Sequence, residues 1–462
     1  MRLGRLSDFA SVESLRSLAS RMGAPVKFAE DTSILMTPVS AGELAFPNRM
    51  AIQPMEGADA DMGGAPTTHT IERYLRYAIG CAGLIWFEAC AIDVPEARSH
   101  NKMLVISEKT LPAFKSLVDE VKKTSESSLL ELGVDGKASL VLQLSHAGRY
   151  SVIKSDKSPA IAFRFPELDL AFGVTESVGK VISDIELEDL RDEYVKASSL
   201  ALKAGFDAVD VKACHAYLLH DLLSAYKRPG AYGGQSFECR TRFMLETLVT
   251  IKEETGCPVT SRLGPYDGFP NPYGFGSRMD PYPEYSPYDK MSSFDPTEPV
   301  RLLNEMKAIG VDFVNVSLGN PYYTQFLTRP FDAKMPGQRD PPEHPILSVG
   351  RHFEIVEILK REVKDMVFVG SGYSWLRQYG INAASYNVEN SRTDMAGWGR
   401  LAFSYPDFPK AVISKGSIPQ LKACTTCSGC SRLLRAGFRT GCVVQNPRTF
   451  RESLRKVREM GM

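Results

Sequence analysis

Residues 183–212 read SDIELEDLRDEYVKASSLALKAGFDAVDVK and contain one complete helix-then-strand unit. Ser183 followed by Glu186 predicts a capped helix start, and Gly205 predicts the helix end. One apolar face recurs at helical spacing and comprises Leu187, Leu190, Tyr194, Ala197 and Ala201. An apolar run follows directly at Ala208–Lys212. An amphipathic helix that leads straight into a buried strand is the unit from which parallel sheets are built.

The same unit repeats along the chain. Eight apolar runs predict strands at Arg49–Gln53, Gly83–Glu88, Ser139–Leu144, Ala208–Lys212, Pro258–Leu263, Val311–Ser317, Met366–Gly370 and Met395–Gly399. Helical patterns separate these runs, and no clear hairpin signal lies between them. Eight units over about 350 residues fit a (β/α)8 TIM barrel better than an open sheet. The predicted fold class is therefore α/β, a TIM barrel with long active-site loops and a C-terminal cysteine-cluster extension.

Length and charge limit the domain organisation and the binding partners that we expect. The 462 residues suffice for one large α/β barrel with additions, or for two or three smaller domains. We predict an N-terminal lead-in at 1–45, the barrel at 46–410 and a C-terminal cysteine segment at 411–462. Lys plus Arg and Asp plus Glu both number 55, which gives no reason to expect nucleic acid or an anionic membrane as partner. The N-terminus lacks a secretory pattern, so we expect a cytoplasmic protein.

Two long connections interrupt the repeat, at residues 264–296 and 319–345. Both are rich in proline, glycine and aromatic residues, and loops of this length in compact domains are usually functional. They follow the fifth and sixth predicted strands at their carboxyl ends, so we predict a lid over a pocket; a packing flap or a subunit contact is the alternative. Stacking surfaces in the first loop are Tyr266, Tyr273, Tyr282, Tyr285 and Tyr288.

Polar residues stand where the predicted strands end. They are Gln53, Glu88, Gln143, Lys212, His215, Tyr217 and Arg262, with His146 and Arg149 shortly after the third strand. The carboxyl ends of barrel strands form one rim, which is where such barrels bind ligands. The last two units end in VGSGYS and GWGR, and these glycines beside Arg400 suit a phosphate held by backbone N–H groups. The alternative is that the glycines serve tight turns only.

Six motifs in order resemble a known family. They are NRMAIQPMEG, GLIWFEACA, QLSHAGRY, AYLLHDLLSAYKRPGAYGG, ECRTRF and DMAGWGRLAFSYPDFP. They resemble the old yellow enzyme family of FMN-dependent ene-reductases, from about Phe46 to Arg448. The resemblance implies FMN at the C-terminal end of a (β/α)8 barrel.

The resemblance also implies which residues hold the cofactor. Pro54, Met55 and Ala89 would lie by the isoalloxazine, and Gln53 would be a further cofactor-binding residue. Gln143 would bond to its pyrimidine edge, and Arg262 would lie by N1 and O2, where a cation stabilises the anionic reduced flavin. Gly372, Gly399 and Arg400 would hold the phosphate.

Catalytic residues follow from the same resemblance. Many relatives carry His-x-x-His or His-x-x-Asn and, two residues later, Tyr; the pair holds a carbonyl oxygen, and Tyr protonates the α-carbon after hydride transfer. The matching residues here are Lys212, His215 and Tyr217. Lysine departs from the pattern, although an ammonium group can still donate to a developing enolate oxygen. The alternative for Lys212 is an ion pair inside the rim, and the alternative for Tyr217 is a packed aromatic residue.

Four of the nine cysteines lie close together in the sequence. Cys424, Cys427 and Cys430 form C-x2-C-x2-C, and Cys442 follows. A structural zinc site more often shows two separated C-x2-C pairs, whereas this spacing suits a [4Fe–4S] cluster. It is similar to the cluster segment of 2,4-dienoyl-CoA reductase and trimethylamine dehydrogenase. We predict packing roles for Cys81, Cys90, Cys214, Cys239 and Cys257.

Three functions are compatible with these motifs. The leading one is reduction of an activated C=C bond of a small molecule, such as an enone or enoate. The others are oxidative amine-type dehydrogenation with electrons leaving through the cluster, and electron transfer alone. No G-x-G-x-x-G follows a strand. NAD(P)H is therefore expected to meet FMN directly at the rim, unless an electron-donor protein supplies electrons through the cluster. The substrate, the donor and any homo-oligomer stay open.

Overall fold

The computed structural model describes residues 6–151, 159–171, 173–175, 177–269, 271–278 and 293–461. Eight parallel strands form a closed ring in chain order, because the last strand pairs with the first. The strands are β1 Met50–Ile52, β2 Leu84–Ala91, β3 Ser139–Ser145, β4 Ala208–Val211, β5 Val259–Leu263, β6 Phe313–Val316, β7 Val367–Gly370 and β8 Met395–Trp398. Each overlaps one of the eight predicted runs, so the predicted TIM barrel is confirmed.

One long helix follows each strand of the ring. These helices are α1 Thr68–Ile79, α2 Leu111–Leu130, α3 Asp184–Ala204, α4 Phe237–Thr255, α5 Thr297–Ile309, α6 Pro345–Glu362, α7 Gly380–Glu389 and α8 Phe408–Lys415. Helix α3 begins as predicted, since Ser183 Oγ accepts a hydrogen bond of 3.2 Å from the Glu186 N–H. It ends at Gly205, whose φ of 96° suits glycine.

Further helices and short strands lie outside the eight strand–helix units. Helices span Val12–Met22, Pro166–Ala171, Leu218–Leu223, Gln325–Thr328, Arg400–Ser404, Gly429–Arg435 and Pro447–Glu459. Leu104–Val105 pairs with β2 outside the ring, and Ala160–Ile161 pairs with Lys180–Val181.

A hairpin that the sequence did not predict closes the amino-terminal end of the barrel. Val39–Ala41 pairs antiparallel with Leu44–Phe46, immediately before β1. Phe46 is fully buried, and its ring lies 5.7 Å from that of Phe313 at the start of β6. Trp86 of β2 contacts the same phenylalanine. The hairpin therefore forms a hydrophobic plug at this end. The polar residues lie at the opposite end, where the strands have their carboxyl ends.

The cysteine segment lies over the carboxyl ends of the strands. Its Thr440 N–H donates to the Gly57 carbonyl in the loop after β1, at 2.7 Å. From the loop after β6, Arg329 Nη1 donates to Ser428 Oγ at 3.0 Å. A small core of its own comprises Leu433, Phe450 and Val457. In the portion of the chain that the structure describes, no helix has the length and apolar content needed to cross a membrane.

Candidate active site

A cavity of about 650 Å³ opens at the carboxyl ends of the strands. Twelve residues were predicted there, nine for the cofactor and three for catalysis, and eleven of them line the cavity. The eleven are Gln53, Pro54, Met55, Gln143, Lys212, His215, Tyr217, Arg262, Gly372, Gly399 and Arg400. Ala89 lies buried in β2 and is not among the lining residues. Residues far apart in the sequence thus meet at one rim.

Lys212 follows β4 and is only 4% exposed. Its ammonium group lies over the Tyr217 ring, 3.3 Å from the centroid, in a cation–π contact. Within the described residues no carboxylate lies at ion-pair distance from it, although the charges of Glu56 and Asp210 act on it. Burial is the main cause that lowers the pKa of Lys212. Lys212 lines the cavity, where its Nζ group can donate a hydrogen bond.

His215 lies beside Lys212 and shares a partner with Arg262. His215 Nε2 is 2.8 Å from Ser317 Oγ, and Arg262 Nη2 donates to the same oxygen at 3.3 Å. His215 and Ala216 both have positive φ, 67° and 55°, which turns the chain sharply between strand and helix. Burial, with the charges of Arg262 and Lys212, holds the pKa of His215 well below its usual value, so the imidazole is neutral at pH 7.

Gln143 is oriented by a buried aspartate. Its Nε2 donates to Asp210 Oδ2 at 2.6 Å, so the amide oxygen is the group available to a donor in the cavity. Trp86 Nε1 donates to the same carboxylate oxygen, and the Arg262 N–H donates to Oδ1. Burial nevertheless raises the pKa of Asp210 to about 6. Asp210 thus links the residues predicted to contact the pyrimidine edge and N1.

The end of the cavity at β7 and β8 fits an anionic group. Arg400 is buried, and its Nη1 has no hydrogen-bond partner among the described residues. Gly372 has a φ of 98°, which favours glycine. A Cβ on Gly399 would lie 2.6 Å from Met55 Sδ, so any larger residue here would displace the Met55 side chain. An unpartnered buried guanidinium beside two glycines is the arrangement expected for a phosphate.

Several lining residues were missed by sequence reasoning. Glu56 contacts Tyr217 and His100: the Tyr217 hydroxyl donates to Oε1 at 3.3 Å, and His100 Nε2 lies 3.2 Å from Oε2. Tyr322 comes from the loop after β6, and Arg435 from the cysteine segment. Glu56 could have been found because it directly follows Met55 at a strand end. No local signal marked the others.

Of the two long loops, only the one after β6 lines the cavity among the residues that the structure describes. The connection after β6 contributes Pro321, Tyr322, Thr328, Arg329 and Pro330 to the cavity wall, as a covering loop would. In the connection after β5, Tyr266 and Tyr273 do not line the cavity; Tyr273 stacks on Phe165 at 4.5 Å. The lid prediction was therefore wrong for these two tyrosines. Tyr282, Tyr285 and Tyr288 lie outside the described residues.

Four polar or thiol side chains near the rim do not line the cavity and have structural roles. Arg149 is buried in ion pairs with Asp221 and Asp169. His220 Nε2 lies 2.8 Å from the Gly264 carbonyl, and its Nδ1 accepts from the Ala216 N–H. His146 and Cys214 are buried and do not line the cavity.

The four clustered cysteines are neighbours in space. Burial raises the pKa of Cys424 to about 12; Arg400 opposes this, and the thiols of Cys430 and Cys442 reinforce it. Backbone N–H groups donate to two of the sulfurs, from Thr426 to Cys424 and from Gln445 to Cys442, both at 3.4 Å. Thr426 and Ser428, on either side of Cys427, have positive φ. Across the described residues, no group of three or more His, Cys, Asp or Glu side chains is placed to hold a single metal ion.

Comparison with known proteins agrees with this geometry. Residues 34–276 match the NADH:flavin oxidoreductase / NADH oxidase family. The chain belongs to this family. An NADPH dehydrogenase of Bacillus subtilis (strain 168) is 27% identical over 345 residues, which are 73% of this chain and 90% of the relative. The protein is an FMN-dependent oxidoreductase of the old yellow enzyme type.

Solved structures support the fold. A 2-naphthoyl-CoA reductase complex superposes with a TM-score of 0.68 at 20% identity, covering 89% of this chain and 57% of that one. Histamine dehydrogenase from Rhizobium sp. 4-9 gives 0.66 at 19% identity, covering 90% and 52%. The chain therefore matches only about half the length of each of these two larger proteins.

The cavity fits FMN as the family's cofactor. The unpartnered Arg400 Nη1 and the glycines lie at one end, and Gln143 and Arg262 lie beside the opposite wall. The Nε of Arg262 also has no hydrogen-bond partner among the described residues. These groups match an anionic phosphate and a polar ring edge.

Proposed function

We propose that this family member reduces an activated C=C bond of an enone- or enoate-like small molecule. The observation that carries the proposal is that Lys212, His215 and Tyr217 line the same cavity as the groups suited to FMN. When bound, FMN supplies the hydride. Lys212 and neutral His215 donate to the substrate oxygen as negative charge develops on it. The Tyr217 hydroxyl supplies the proton to the α-carbon.

Cofactor and domain assignments belong to this proposal. Pro54 and Met55 lie by the flavin ring, and Gln53 is a further cofactor-binding residue. The Ala89 side chain is buried in β2, so Ala89 contacts the ring through its backbone. Gln143 and Arg262 contact the pyrimidine side, and Gly372, Gly399 and Arg400 contact the phosphate. The chain divides into a lead-in at 1–45, the barrel at 46–410 and a cysteine segment at 411–462. The hairpin strand Leu44–Phe46 crosses the first of these boundaries.

We further propose a [4Fe–4S] cluster on Cys424, Cys427, Cys430 and Cys442. Each thiolate binds a different iron of such a cluster, so the sulfurs need not converge on one point as they would around a single Zn²⁺. The N–H donors to Cys424 and Cys442 support this proposal, because hydrogen bonds to sulfur tune these clusters. NAD(P)H is the expected electron donor, with a donor protein acting through the cluster as the alternative.

Oxidative amine dehydrogenation is the second candidate. The wall formed by Ser431, Leu434, Arg435 and Gly437 favours it, because it brings the cysteine segment to the cavity and gives electrons a way out. Lys212 argues against it, since a buried cation in the cavity wall repels an ammonium substrate. Alkene reduction is therefore the better supported function.

An anaerobic assay tests the proposal. The purified enzyme should contain one FMN per chain that acid precipitation releases, and it should reduce members of a panel of enones and enoates with NADH, NADPH or reduced ferredoxin. Reduction in D₂O should place one deuterium on the α-carbon of the product. The matched saturated ketones serve as controls. FAD, acid-stable flavin, or oxidation of amines without reduction of any alkene would contradict it.

A further inference from the structure

One carboxylate joins the buried tyrosine to a partly exposed histidine. Glu56 Oε1 accepts from the Tyr217 hydroxyl at 3.3 Å, while Glu56 Oε2 lies 3.2 Å from His100 Nε2. Tyr217 is 3% exposed, whereas 20% of the His100 side chain is exposed. The two oxygens of one side chain therefore contact a proton donor of the cavity on one side and a group open to solvent on the other.

The proposed reaction creates a need for this arrangement. When Tyr217 gives its proton to the substrate carbon, a phenolate is left on a side chain that is only 3% exposed, and it must regain a proton before the next turnover. We propose that Glu56 and His100 form a relay that returns protons from solvent to Tyr217. This inference rests on the proposed alkene reduction, in which Tyr217 is the catalytic residue and Glu56 and His100 act through it.

The proton transfers balance without any further reactant. A solvent proton binds His100 Nδ1, and the Nε2 proton moves to Glu56 Oε2. Rotation of the carboxyl group then turns the protonated oxygen toward the phenolate, and this oxygen donates its proton to Tyr217. Glu56 returns to its carboxylate form. One proton enters per alkene reduced, and no electrons move in the relay.

The surrounding charges are consistent with an ionised resting Glu56. Burial alone would raise the pKa of Glu56, but the His100 hydrogen bond and the charges of His100 and Lys212 hold it below its ordinary value. Burial and the Glu56 charge together raise the pKa of Tyr217 well above its usual value, so the phenol starts protonated.

Other ionisable groups of the described chain also lie near the relay. Lys212 and Tyr322 face Tyr217 across the cavity, and Tyr150 packs against its ring at 5.4 Å. Arg435 acts on Tyr322 from the cysteine segment. Ser99 and Tyr322 also act on the Tyr217 hydroxyl. We assign the relay to Glu56 and His100 because Glu56 contacts both the Tyr217 hydroxyl and the partly exposed His100 ring.

Comparing the first turnover with later ones tests the relay. Glu56→Gln and His100→Gly should reduce the first alkene equivalent at close to the wild-type rate in stopped flow, because Tyr217 already holds its proton. Steady-state turnover should then fall by roughly 10²-fold, the usual contribution of a positioned proton-transfer group. Imidazole should restore turnover of His100→Gly, and Glu56→Asp should retain part of it. Tyr217→Phe should instead slow the first turnover.

A matched pair controls for general effects. His69 Nδ1 lies 3.5 Å from Glu72 Oε2 on the outer surface of α1, far more exposed than the relay pair. His69→Gly and Glu72→Gln should leave both the first and the later turnovers unchanged.

A spectroscopic measurement checks the contact independently of activity. With 3,5-difluorotyrosine at position 217, the pH at which the phenol ionises is followed by absorbance in the FMN-loaded protein. Glu56→Gln should lower this pH, because it removes the negative charge that opposes phenolate formation. Glu72→Gln should not change it.

Three outcomes would overturn the inference. Equal loss in the first and later turnovers would assign Glu56 and His100 a structural role only. Unchanged steady-state turnover in Glu56→Gln, or an unchanged ionisation of the fluorinated tyrosine, would remove the relay while alkene reduction stands. A wild-type enzyme that reduces no alkene would overturn the proposed function itself, and the relay with it.

Discussion

At the scale of single residues, Lys212 departs from the His-x-x-His or His-x-x-Asn pattern expected from the family resemblance. A histidine at this position would be one neutral donor among others, but an ammonium group brings a full positive charge into a buried wall. Its ammonium group lies on the face of the Tyr217 ring, and the Glu56 carboxylate also acts on it. The charge is therefore available to stabilise an oxyanion on the substrate.

Replacing Lys212 with methionine should slow substrate reduction selectively. The side chain keeps its volume and loses its charge, so the oxidative half-reaction should fall by about 10²–10³-fold, which corresponds to ~3–4 kcal/mol for a donor aimed at developing charge. Reduction of FMN by NAD(P)H should change little. Stopped-flow absorbance, with the two half-reactions recorded separately, measures both effects.

A second lysine provides the control for this substitution. Lys227 also lies over a tyrosine ring, 4.5 Å from the centroid of Tyr273, but it is outside the cavity. Lys227→Met should leave both half-reactions intact. Equal loss of the two half-reactions in Lys212→Met would mean that Lys212 only shapes the rim.

At the scale of elements, the cysteine segment forms part of the cavity. Its helix Gly429–Arg435 contributes Ser431, Leu434 and Arg435 to the wall. Arg400 connects the two regions, since its charge acts on Cys424 and Cys430 while the same residue lines the proposed phosphate site. Loss of the proposed cluster should therefore disturb substrate binding as well as any electron transfer.

Anaerobic purification should yield roughly four irons and four sulfides per chain. Cys424→Ser should lose most of that iron together with the visible charge-transfer absorption, because a hydroxyl is a poor ligand for a cluster iron. Cys239→Ser, on the outer helix α4, should retain both. Iron and acid-labile sulfide analysis with absorbance spectra measures this. Stoichiometric zinc in a colourless apo-flavin protein would rule out the cluster.

At the scale of the whole molecule, one end of the barrel is closed by packed hydrophobic residues and the other end contains the cavity. The plug of Phe46 closes the amino-terminal end through Phe313 and Trp86, and no residue of this aromatic group lines the cavity. Stability and chemistry are thus separated along the barrel axis, as is usual for this fold.

Phe46→Ala should destabilise the fold by about 3–5 kcal/mol, the usual cost of emptying a fully buried phenylalanine site. Flavin content and both half-reaction rates at 25 °C should stay near wild type, because the change lies at the far end. Urea unfolding followed by circular dichroism gives the stability. Ile185→Ala, at a side chain 72% exposed on α3, should change it by less than about 0.5 kcal/mol. Loss of FMN from folded Phe46→Ala would show that the two ends are coupled.

Local patterns were enough to predict the ring of strands and the helix caps. Ser183, Glu186 and Gly205 define α3 through contacts within a few residues, so the sequence contains all the information needed. The motifs also identified eleven cavity-lining residues, because each strand delivers its last residues to the same rim. The hairpin before β1 was missed, since its three-residue strands are too short to show alternation.

The sequence by itself determined the barrel, the family and the identity of most residues at the rim, because helix and strand periods and strand-end motifs are properties of neighbouring residues. Only the tertiary structure decided that Lys212 lies on an aromatic ring, that the cysteine segment forms a cavity wall, and that Glu56 joins Tyr217 to His100. The contact between Glu56 and Tyr217 spans 161 residues of sequence. Such contacts depend on how separate strands and loops converge in space, which no local pattern encodes.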